Sequence, residues 1–356
     1  MIVGCGPYQF VSWEKGKRVV FKRFEKYYGK TLGIMPSIKY IVFELIQHPN
    51  TRLQALKSQD VDISLLSSEQ WTKQTDIPEF GENGFLRKIK TPSFSYSYIG
   101  LNQLKPIFQD KRTRKALSHL INRSRLNHDI LHDLAQSISG PFDINSTAYD
   151  KSIEPDSFDI DLAKKMLTDA GWGDANSDGV LDKEGISLQF TLIYPNAAEA
   201  YGKMLSIIKE DMAKAGVKME IISLEWSVMQ ERIEKKNFDA CIMGWRMGIG
   251  DSDPYQIWHS DNLKFDSSSN HISFSNSEAD RLITEIRKCF DENQRMELYH
   301  QFHRLIHEEA PYLFLFTNYD LYAIHKRYQN VVVYPSGLYS RAFWVKRDAQ
   351  MSVPGL

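Results

Sequence analysis

The sequence predicts an α/β protein whose second half contains a mainly parallel sheet. Apolar runs of strand length alternate with amphipathic runs of helix length between residues 188 and 243. The predicted strands are Leu188–Tyr194, Val217–Leu224 and Phe238–Met243, and the helices between them are Ala197–Ala215 and Ser227–Lys236. This β-α-β-α-β order is typical of parallel sheets, in which ligand groups lie at the carboxyl ends of the strands. The 356 residues are enough for two compact lobes.

The first hundred residues carry mostly strand signals. They predict a hairpin over residues 8–24 that turns at Glu14–Lys17, strands Ile38–Ile46 and Val61–Leu65, and a helix Thr51–Lys57 capped by Asn50. The segment Ser93–Asn102 is rich in tyrosine and alternates in polarity, so one of its faces is expected to look towards a ligand. This part of the chain therefore predicts an α/β lobe.

Helix-start and helix-stop signals punctuate the remainder of the chain. Asp110 is the predicted cap of one helix, and Asp159 or Asp161 opens another that Gly171 ends. Two long helices, Ser277–Phe290 and Glu292–Glu309, come next, and Asp291 with Gln294 forms a capping box for the second. An apolar strand, Tyr312–Phe316, follows Pro311.

Composition and charge exclude several classes of protein. The 44 Lys and Arg residues nearly balance the 45 Asp and Glu residues, so the basic surface typical of nucleic-acid binding is not expected. The sequence contains no apolar run near the ~18 residues needed to span a bilayer. Cys5, Cys241 and Cys289 lie far apart in sequence, and the last two lie in apolar patterns that favour buried free thiols. No disulfide framework is predicted.

The segment Phe238–Asp261 carries the strongest functional signal. Its apolar strand runs into Gly244 and Trp245, and a loop containing Asp251 and Asp253 follows. Glycine lets the backbone approach a ligand, an indole offers a large flat surface, and a carboxylate binds cations. The alternative is a Trp packed in the core beside an ordinary solvated loop.

Seven segments in order along the chain point to a family. They are GCGPY with the following FVSWEKG, RVVFKRFEKYYGK with IKYIVFELI, TRLQALKSQDVDIS, GLNQLKPIFQDKRTRKALSHLINR, AKKMLTDAGW, the Trp245 segment, and ELYHQFHRLIHEEAPYLFLF. In this order and spacing they resemble the family-5 extracellular solute-binding proteins, the peptide- and dipeptide-binding receptors of bacterial ABC importers. The resemblance covers nearly the whole chain.

The resemblance implies a two-lobed α/β fold of the type II periplasmic-binding-protein kind, with a ligand cleft between the lobes. We expect lobe one to comprise residues 1–101 and 315–356, and the second lobe to comprise residues 102–314. It further implies a monomer without a cofactor that presents peptides or similar solutes to an ABC permease outside the cytoplasm. The sequence has no GxSxG motif and no P-loop, so an enzyme is not expected.

In the family, the GxGPY segment lies well inside the protein, behind an export signal, the first strands of one lobe and a separate small domain. Here Met1-Ile2-Val3 leads directly into that segment, without a signal-peptide pattern. The sequence is therefore interpreted as a family member that lacks about its first third. A non-transporting remnant of such a receptor remains an alternative to a working receptor.

The resemblance also implies a set of ligand-binding residues. It places Trp245 in the cleft wall, with the neighbouring Gly244 and Arg246 pairing to the main chain of a peptide. We expect Tyr96, Tyr98 and Asn102 to line the lobe-one side of the cleft. Tyr194 and Phe316 are further candidate walls.

One position departs from the family pattern. Peptide-binding relatives often carry an Asp three residues after this Trp, where it pairs with the α-ammonium of the ligand. Here that position is Gly248, and Asp251 or Asp253 is expected to take the role. A buried ammonium without a counter-charge would cost several kcal/mol, so a peptide site needs an acid nearby.

Three patterns suggest metal sites, each with a simpler alternative. Asp174, Asn176, Asp178 and Asp182 match part of a calcium loop, but Gly185 replaces its final Glu, and an Asx-rich turn explains the same residues. His128 and His132 have the spacing of a zinc-protease helix without its catalytic Glu. His300, His303 and His307 form a helical stripe that could hold nickel or zinc, or could be a half-buried surface stripe.

Overall fold

The structure is a computed structural model that describes residues 4–248, 252–265, 267–334 and 337–351. The chain divides into two compact units, one formed by residues 1–93 and 319–356 and the other by residues 94–318. The sequence analysis placed these divisions at 101/102 and 314/315. The division comes before residue 95 because the strand that begins there pairs with strands of the second unit.

The first unit begins with a three-stranded antiparallel sheet in the order β1-β2-β3. Its elements up to residue 92 are strands β1 (Tyr8–Glu14), β2 (Arg18–Arg23) and β3 (Tyr40–Glu44), helix α1 (Pro49–Lys57), strand β4 (Ile63–Leu65), helix α2 (Ser68–Lys73) and strand β5 (Leu86–Pro92). The predicted hairpin is confirmed, and Gly16 has the positive φ, 77°, that its tight turn requires.

Helix α1 begins differently from the prediction. Pro49 occupies its first turn, and His48 precedes it without a capping bond from its side chain. The prediction of Asn50 as the cap was wrong, because proline already has the helical φ and needs no donor partner at this position. The sequence analysis did not assign α2, although Ser67 and Gln70 form a capping box at its start.

The second unit contains a five-stranded sheet in the order β11-β10-β12-β6-β13, in which β6 runs against the other four strands. The strands of the second unit, of which β7, β8 and β9 lie outside this sheet, are β6 (Ser95–Leu101), β7 (Ala135–Ser137), β8 (Asp182–Lys183), β9 (Ile186–Ser187), β10 (Gln189–Pro195), β11 (Lys218–Leu224), β12 (Ala240–Arg246) and β13 (Tyr312–Phe314). Its helices are α3 (Lys111–Ser118), α4 (Arg123–Asp129), α5 (Ile160–Asp169), α6 (Glu199–Lys214), α7 (Trp226–Glu234), α8 (Tyr255–Trp258), α9 (Ser277–Lys288) and α10 (Glu292–Glu309). The predicted β-α-β-α-β order is therefore confirmed.

Helices cover both faces of this sheet. The alternation of β6 and β12 sends Ile99 and Ile242 into one apolar cluster and Tyr98 and Cys241 into the other. The first cluster also contains residues of α3, α5 and α6, and the second contains residues of α7, α9 and α10. The second unit is thus a three-layer α/β/α structure, and its predicted caps Asp110, Asp159 and Asp291 each accept the expected backbone bond.

The chain returns to the first unit along one strand, β14 (Phe316–His325). Its first three residues pair with β7, and Tyr319–His325 pair with β5, with β4 on the other side. The strands that follow are short: β15 (Tyr328–Gln329), β16 (Val333–Tyr334), β17 (Gly337–Leu338) and β18 (Trp344–Val345). None of the described helices combines the length and the apolar composition that a membrane crossing requires.

A buried amide fixes the carboxyl end of β6. Asn102 is fully buried, and its Nδ2 donates to the carbonyls of Lys236 at 3.1 Å and Phe238 at 2.8 Å. Its Oδ1 accepts from the backbone N–H of Leu104 at 3.2 Å. The side chain therefore joins the end of β6 to the segment that enters β12.

We expect Asn102→Ala to destabilise the second unit by about 3 kcal/mol, because two carbonyls lose their donor at a buried site. Urea unfolding measures this loss, with Asn237→Ala at an exposed neighbouring position as the matched control. A loss below about 1 kcal/mol would contradict the structural role of this amide.

Candidate functional site

Trp245 lies at the carboxyl edge of the five-stranded sheet. It belongs to β12, where it pairs with Tyr96 of β6, so the strand continues three residues beyond the predicted end at Met243. The pairing of β10 with β12 runs from Leu192↔Ala240 to Ile193↔Cys241, whereas the pairing of β6 continues to Arg246. The residues of β12 after Cys241 therefore lie beyond the last residue of this strand that pairs with β10.

Gly244 permits the close approach of β6 and β12. A Cβ atom at this position would lie 2.9 Å from the carbonyl oxygen of Tyr96, closer than real Cβ contacts allow. A larger residue would push the two strands apart and shift the indole beside it. The glycine that the sequence singled out therefore has a packing role within the second unit.

Two hydrogen bonds and a pair of stacked rings lie on the inner side of the indole. Trp245 is half-buried, and its Nε1 donates to the hydroxyl of Tyr312 at 3.3 Å. The rings of Tyr312 and Tyr98 stack with centroids 3.7 Å apart. The hydroxyl of Tyr98 lies 3.1 Å from Nε2 of His271, which is buried.

The direction of these two hydrogen bonds follows from the groups that make them. Burial lowers the pKa of His271 to about 4, so its ring is neutral near pH 7. Because the indole N–H can only donate, the Tyr312 hydroxyl accepts from it, and a neutral His271 can accept at Nε2 from the Tyr98 hydroxyl. Burial also raises the pKa of Tyr98 and of Tyr312, so both phenols stay protonated.

This arrangement leaves the indole with a fixed inner edge and a partly exposed remainder. Its ring centroid also lies 6.0 Å from that of His271, at an interplanar angle of 33°. The N–H is used within the protein, so the exposed part of the ring offers an apolar surface to a ligand.

Tyr96, Tyr98, Asn102 and Phe316 do not lie where the sequence analysis expected them. All four are buried, and all belong to the second unit rather than to a lobe-one side of a cleft. Since β6 lies between β12 and β13 with helices over both faces, both of its alternating sets of side chains point into the core. Tyr98 acts on the indole through Tyr312, and Asn102 joins two segments, so neither is placed to meet a ligand directly.

The remaining predicted residues lie near the same sheet edge. Tyr194 is half-buried at the end of β10, and its hydroxyl lies over Gly202 of α6. Arg246 is exposed at the end of β12. Asp251 lies outside the described residues.

Asp253 already has partners within the chain. Its Oδ1 accepts from the backbone N–H of Tyr255 at 3.0 Å, and its Oδ2 lies 3.3 Å from Nε of Arg287. The side chains of this ion pair are about half exposed, 53% for the acid and 50% for the base. Exposed pairs contribute little free energy, so a ligand cation can compete with Arg287 for the carboxylate.

A surface depression of about 360 Å³ lies beside Asp253. Its lining residues are Asp253, Ile286, Arg287, Cys289, Phe290, Arg295 and Tyr299. Trp245 is not among them, so this depression and the indole are separate features of the second unit. Cys289 is half-buried here and Cys5 is exposed, so of the three free thiols Cys241 has the burial that the sequence analysis expected.

The candidate metal ligands bond to their own surroundings. In the loop after Trp172, Asp174 accepts from the N–H groups of Asp178 and Gly179, and the Asp182 carboxylate accepts from Ser187. These bonds describe an Asx-rich turn. Among the residues that the structure describes, no group of three or more His, Cys, Asp or Glu side chains has the arrangement of a metal site.

The two histidine patterns also differ from a metal centre. Helix α4 ends at Asp129, and His132 has a positive φ of 53°, so the proposed zinc-protease helix was wrong. His303 is buried between Ser139 and the N–H of Asp150, and burial lowers its pKa to about 3. His300 bonds to the carbonyl of Thr147 and His307 to that of Ser139, so the three imidazoles have separate partners.

The sequence analysis missed Tyr312 and His271 as members of the site. Tyr312 was recognised only as part of an apolar strand. His271 lies in a Ser- and Asn-rich loop without a periodic pattern. No sequence signal connects a loop histidine to a strand 26 residues earlier, because tertiary packing alone brings them together.

The chain matches a family model described as "Bacterial extracellular solute-binding proteins, family 5 Middle" over residues 1–266. It is 28% identical over 318 residues to the oligopeptide-binding protein AppA of Bacillus subtilis, covering 88% of this chain and 56% of that protein. It is 24% identical over 335 residues to a dipeptide-binding protein of Escherichia coli, covering 94% of this chain and 59% of that protein. The chain thus spans little more than half the length of these relatives.

Solved structures show the same fold. The structure of Bacillus subtilis AppA in complex with a nonapeptide matches with a TM-score of 0.84 and 25% identity, covering 96% of this chain and 66% of that one. The structure of NikZ from Campylobacter jejuni in complex with Ni(L-His) matches with a TM-score of 0.81 and 21% identity, covering 92% and 64%. The predicted fold class, α/β of the periplasmic-binding-protein type, is therefore confirmed.

His271 makes the site sensitive to acid. Its pKa is about 4 in the folded chain and near 6.5 ordinarily, so the unfolded chain takes up the proton first as the pH falls. The contribution of the neutral His271 to the free energy of unfolding is complete above pH 6.5 and is lost as the pH falls towards 4. Between pH 6.5 and pH 4, the wild-type chain is expected to lose up to about 3 kcal/mol more unfolding free energy than the His271→Phe variant.

Urea unfolding at a series of pH values from 7 to 4 measures this effect. His128→Phe is the matched control, because His128 is largely exposed. His303 remains in both variants and retains part of the acid sensitivity. An unchanged pH profile in His271→Phe would show that this imidazole does not titrate as a buried group.

Proposed function

The chain belongs to the bacterial extracellular solute-binding proteins of family 5, and we propose that it binds a peptide or a similar small solute at the carboxyl edge of β12. Members of this family are solute-binding proteins rather than enzymes. In the proposed role the protein acts outside the cytoplasm as a monomer and delivers its ligand to the membrane subunits of an ABC importer.

The position of the last residues of β12 carries the proposal. Gly244 and Trp245 pair with β6 on one side, while the register shared with β10 ends at Cys241. An extended ligand can add its main chain to such a strand edge, which provides affinity without a requirement for particular side chains. The half-exposed indole next to this edge then packs on a side chain of the ligand.

The acidic loop supplies the second element of the proposal. A peptide carries an α-ammonium that needs a counter-charge when it is desolvated. Asp253 follows β12 by a few residues, and its exposed pair with Arg287 is weak enough to exchange. Asp251 is the other acid of this loop that the sequence offers for the same role.

A second candidate function is a non-transporting remnant of such a receptor. The chain spans 56% of AppA and 59% of the dipeptide-binding protein. A remnant and a receptor differ in whether the protein retains a ligand. Native mass spectrometry of protein purified from its host separates the two, because a receptor carries a bound small molecule and a remnant does not.

We expect Trp245→Ala to weaken binding of tri-alanine at least tenfold, since the indole surface beside the strand edge is lost. Isothermal titration calorimetry measures the dissociation constant. Trp226→Ala is the matched control, because Trp226 is 45% exposed at the start of α7, within the same unit. Equal affinities for the two variants would refute the role of Trp245.

We expect Asp253→Asn to reduce the preference for tri-alanine over N-acetyl-tri-alanine by about tenfold, because the ligand ammonium loses its counter-charge. The same titrations are made on Asp251→Asn. Asp261→Asn is the control, because the carboxylate of Asp261 pairs with Lys264. If neither Asp251→Asn nor Asp253→Asn changes the preference, the ammonium role of this loop is wrong.

A further inference from the structure

The depression of about 360 Å³ beside Asp253 lies at the turn that joins α9 to α10. Its volume is within the range of about 300–1,000 Å³ that small-molecule sites occupy. Trp245 is not among its lining residues, so the proposed peptide site does not account for it. All of its lining residues belong to the second unit.

The floor of the depression is apolar and belongs to the core. Ile286 of α9 and Tyr299 of α10 line it, and both are buried. The ring of Tyr299 packs edge-to-face on that of Phe142, with centroids 5.3 Å apart. Core contacts therefore hold the floor in place, and its shape does not require a ligand.

Phe290 forms an exposed aromatic rim. Its side chain is 93% exposed, although the backbone on both sides of it is bonded. The N–H of Cys289 donates to the carbonyl of Glu285 at 3.0 Å, and Asp291 accepts from the N–H of Gln294 at 2.9 Å. A hydrocarbon group that lies between the floor and this ring removes apolar surface from water, which is favourable.

Two guanidinium groups lie on the polar side of the depression. Arg287 pairs with Asp253, and its guanidinium carbon lies 4.4 Å from the centroid of the Tyr255 ring. Arg295 donates from Nη1 to the carbonyl of Cys289 at 3.1 Å. Among the described residues that line the depression, two positive charges face one negative charge, so a ligand with one carboxylate balances the charge. Guanidinium groups bind carboxylates through charge-assisted hydrogen bonds.

We propose that this depression is a second small-molecule site, which binds an aromatic monocarboxylate. The carboxylate of the ligand binds at Arg287 and Arg295, and its ring lies between Phe290 and the floor at Tyr299. An uncharged aromatic molecule leaves the excess positive charge without a partner. A short carboxylate leaves the ring of Phe290 in water. The ligand therefore needs both groups.

Isothermal titration calorimetry of the whole chain with 3-phenylpropionate tests the site. Two probes are its controls: 3-phenylpropanamide lacks the charge, and acetate lacks the ring. We expect 3-phenylpropionate to bind at least about tenfold more tightly than either probe. Absence of binding by 3-phenylpropionate, or equal affinity for the amide, would overturn the proposal.

Two variants remove the two halves of the site. Phe290→Ser and Arg295→Gln are each expected to weaken 3-phenylpropionate binding at least about tenfold. Phe265→Ser and Arg281→Gln are the matched controls and are expected to leave it unchanged, since Phe265 is 62% exposed and Arg281 pairs with acids of α9. Phe290→Ser decides the outcome if Arg295→Gln melts earlier than the wild-type chain, because removal of an exposed ring leaves the core intact. Wild-type affinity in Phe290→Ser would refute the site.

Cys289 lines the depression and reports on its occupancy. The measurement uses Cys5→Ser, which removes the exposed thiol, while Cys241 is buried. Iodoacetamide alkylates Cys289 as the sulfur bonds to the methylene carbon, iodide leaves and the thiol proton passes to solvent. At roughly ten times its dissociation constant, 3-phenylpropionate is expected to slow this alkylation about tenfold, as followed by mass spectrometry. An unchanged alkylation rate would contradict binding in the depression.

The inference goes beyond the proposed function, because it requires neither Trp245 nor a peptide. We expect Trp245→Ala to bind 3-phenylpropionate as the wild-type chain does, and Phe290→Ser to bind tri-alanine as the wild-type chain does. Failure of 3-phenylpropionate to bind would overturn this inference alone. Failure of tri-alanine to bind would overturn the peptide site alone.

Discussion

The pairing of β12 with β6 is the constraint on which the candidate site depends. The register runs over seven residue pairs, from Ala240↔Leu101 to Arg246↔Ser95. Because both faces of the sheet are covered by helices, a slip of one residue would exchange the two sets of buried side chains, so this register is strongly determined. Gly244 makes the close approach possible, and Trp245 is consequently delivered to the edge of the sheet rather than to its interior.

Two hydrogen bonds and the stacked rings of Tyr98 and Tyr312 lie behind the indole and restrict its position. Each bond pairs two polar groups that burial would otherwise leave without a partner. One bond joins Trp245 to Tyr312, and the other joins Tyr98 to His271. The stacking of Tyr98 on Tyr312 fixes the two hydroxyls relative to each other. A side chain at the surface is thereby coupled to a buried imidazole, which links the geometry of the site to the protonation state of the core.

The two units differ in how completely they bury their sheets. The five-stranded sheet of the second unit has apolar clusters on both faces, whereas the β1-β2-β3 sheet of the first unit exposes Phe10, Trp13 and Phe43. The chain reproduces the fold of its relatives over part of their length.

The amino-acid sequence by itself determined the alternating elements of residues 188–243, the caps at Asp110, Asp159 and Asp291, and the family. These features depend on local periodicity and on neighbouring residues, which sequence patterns record directly. Tertiary structure decided that Tyr98, Asn102 and Phe316 are buried, since their environment depends on which strands and helices lie beside β6 and β14. It also decided that His271 supports Trp245, because a contact between distant segments arises from packing and has no signature in local sequence.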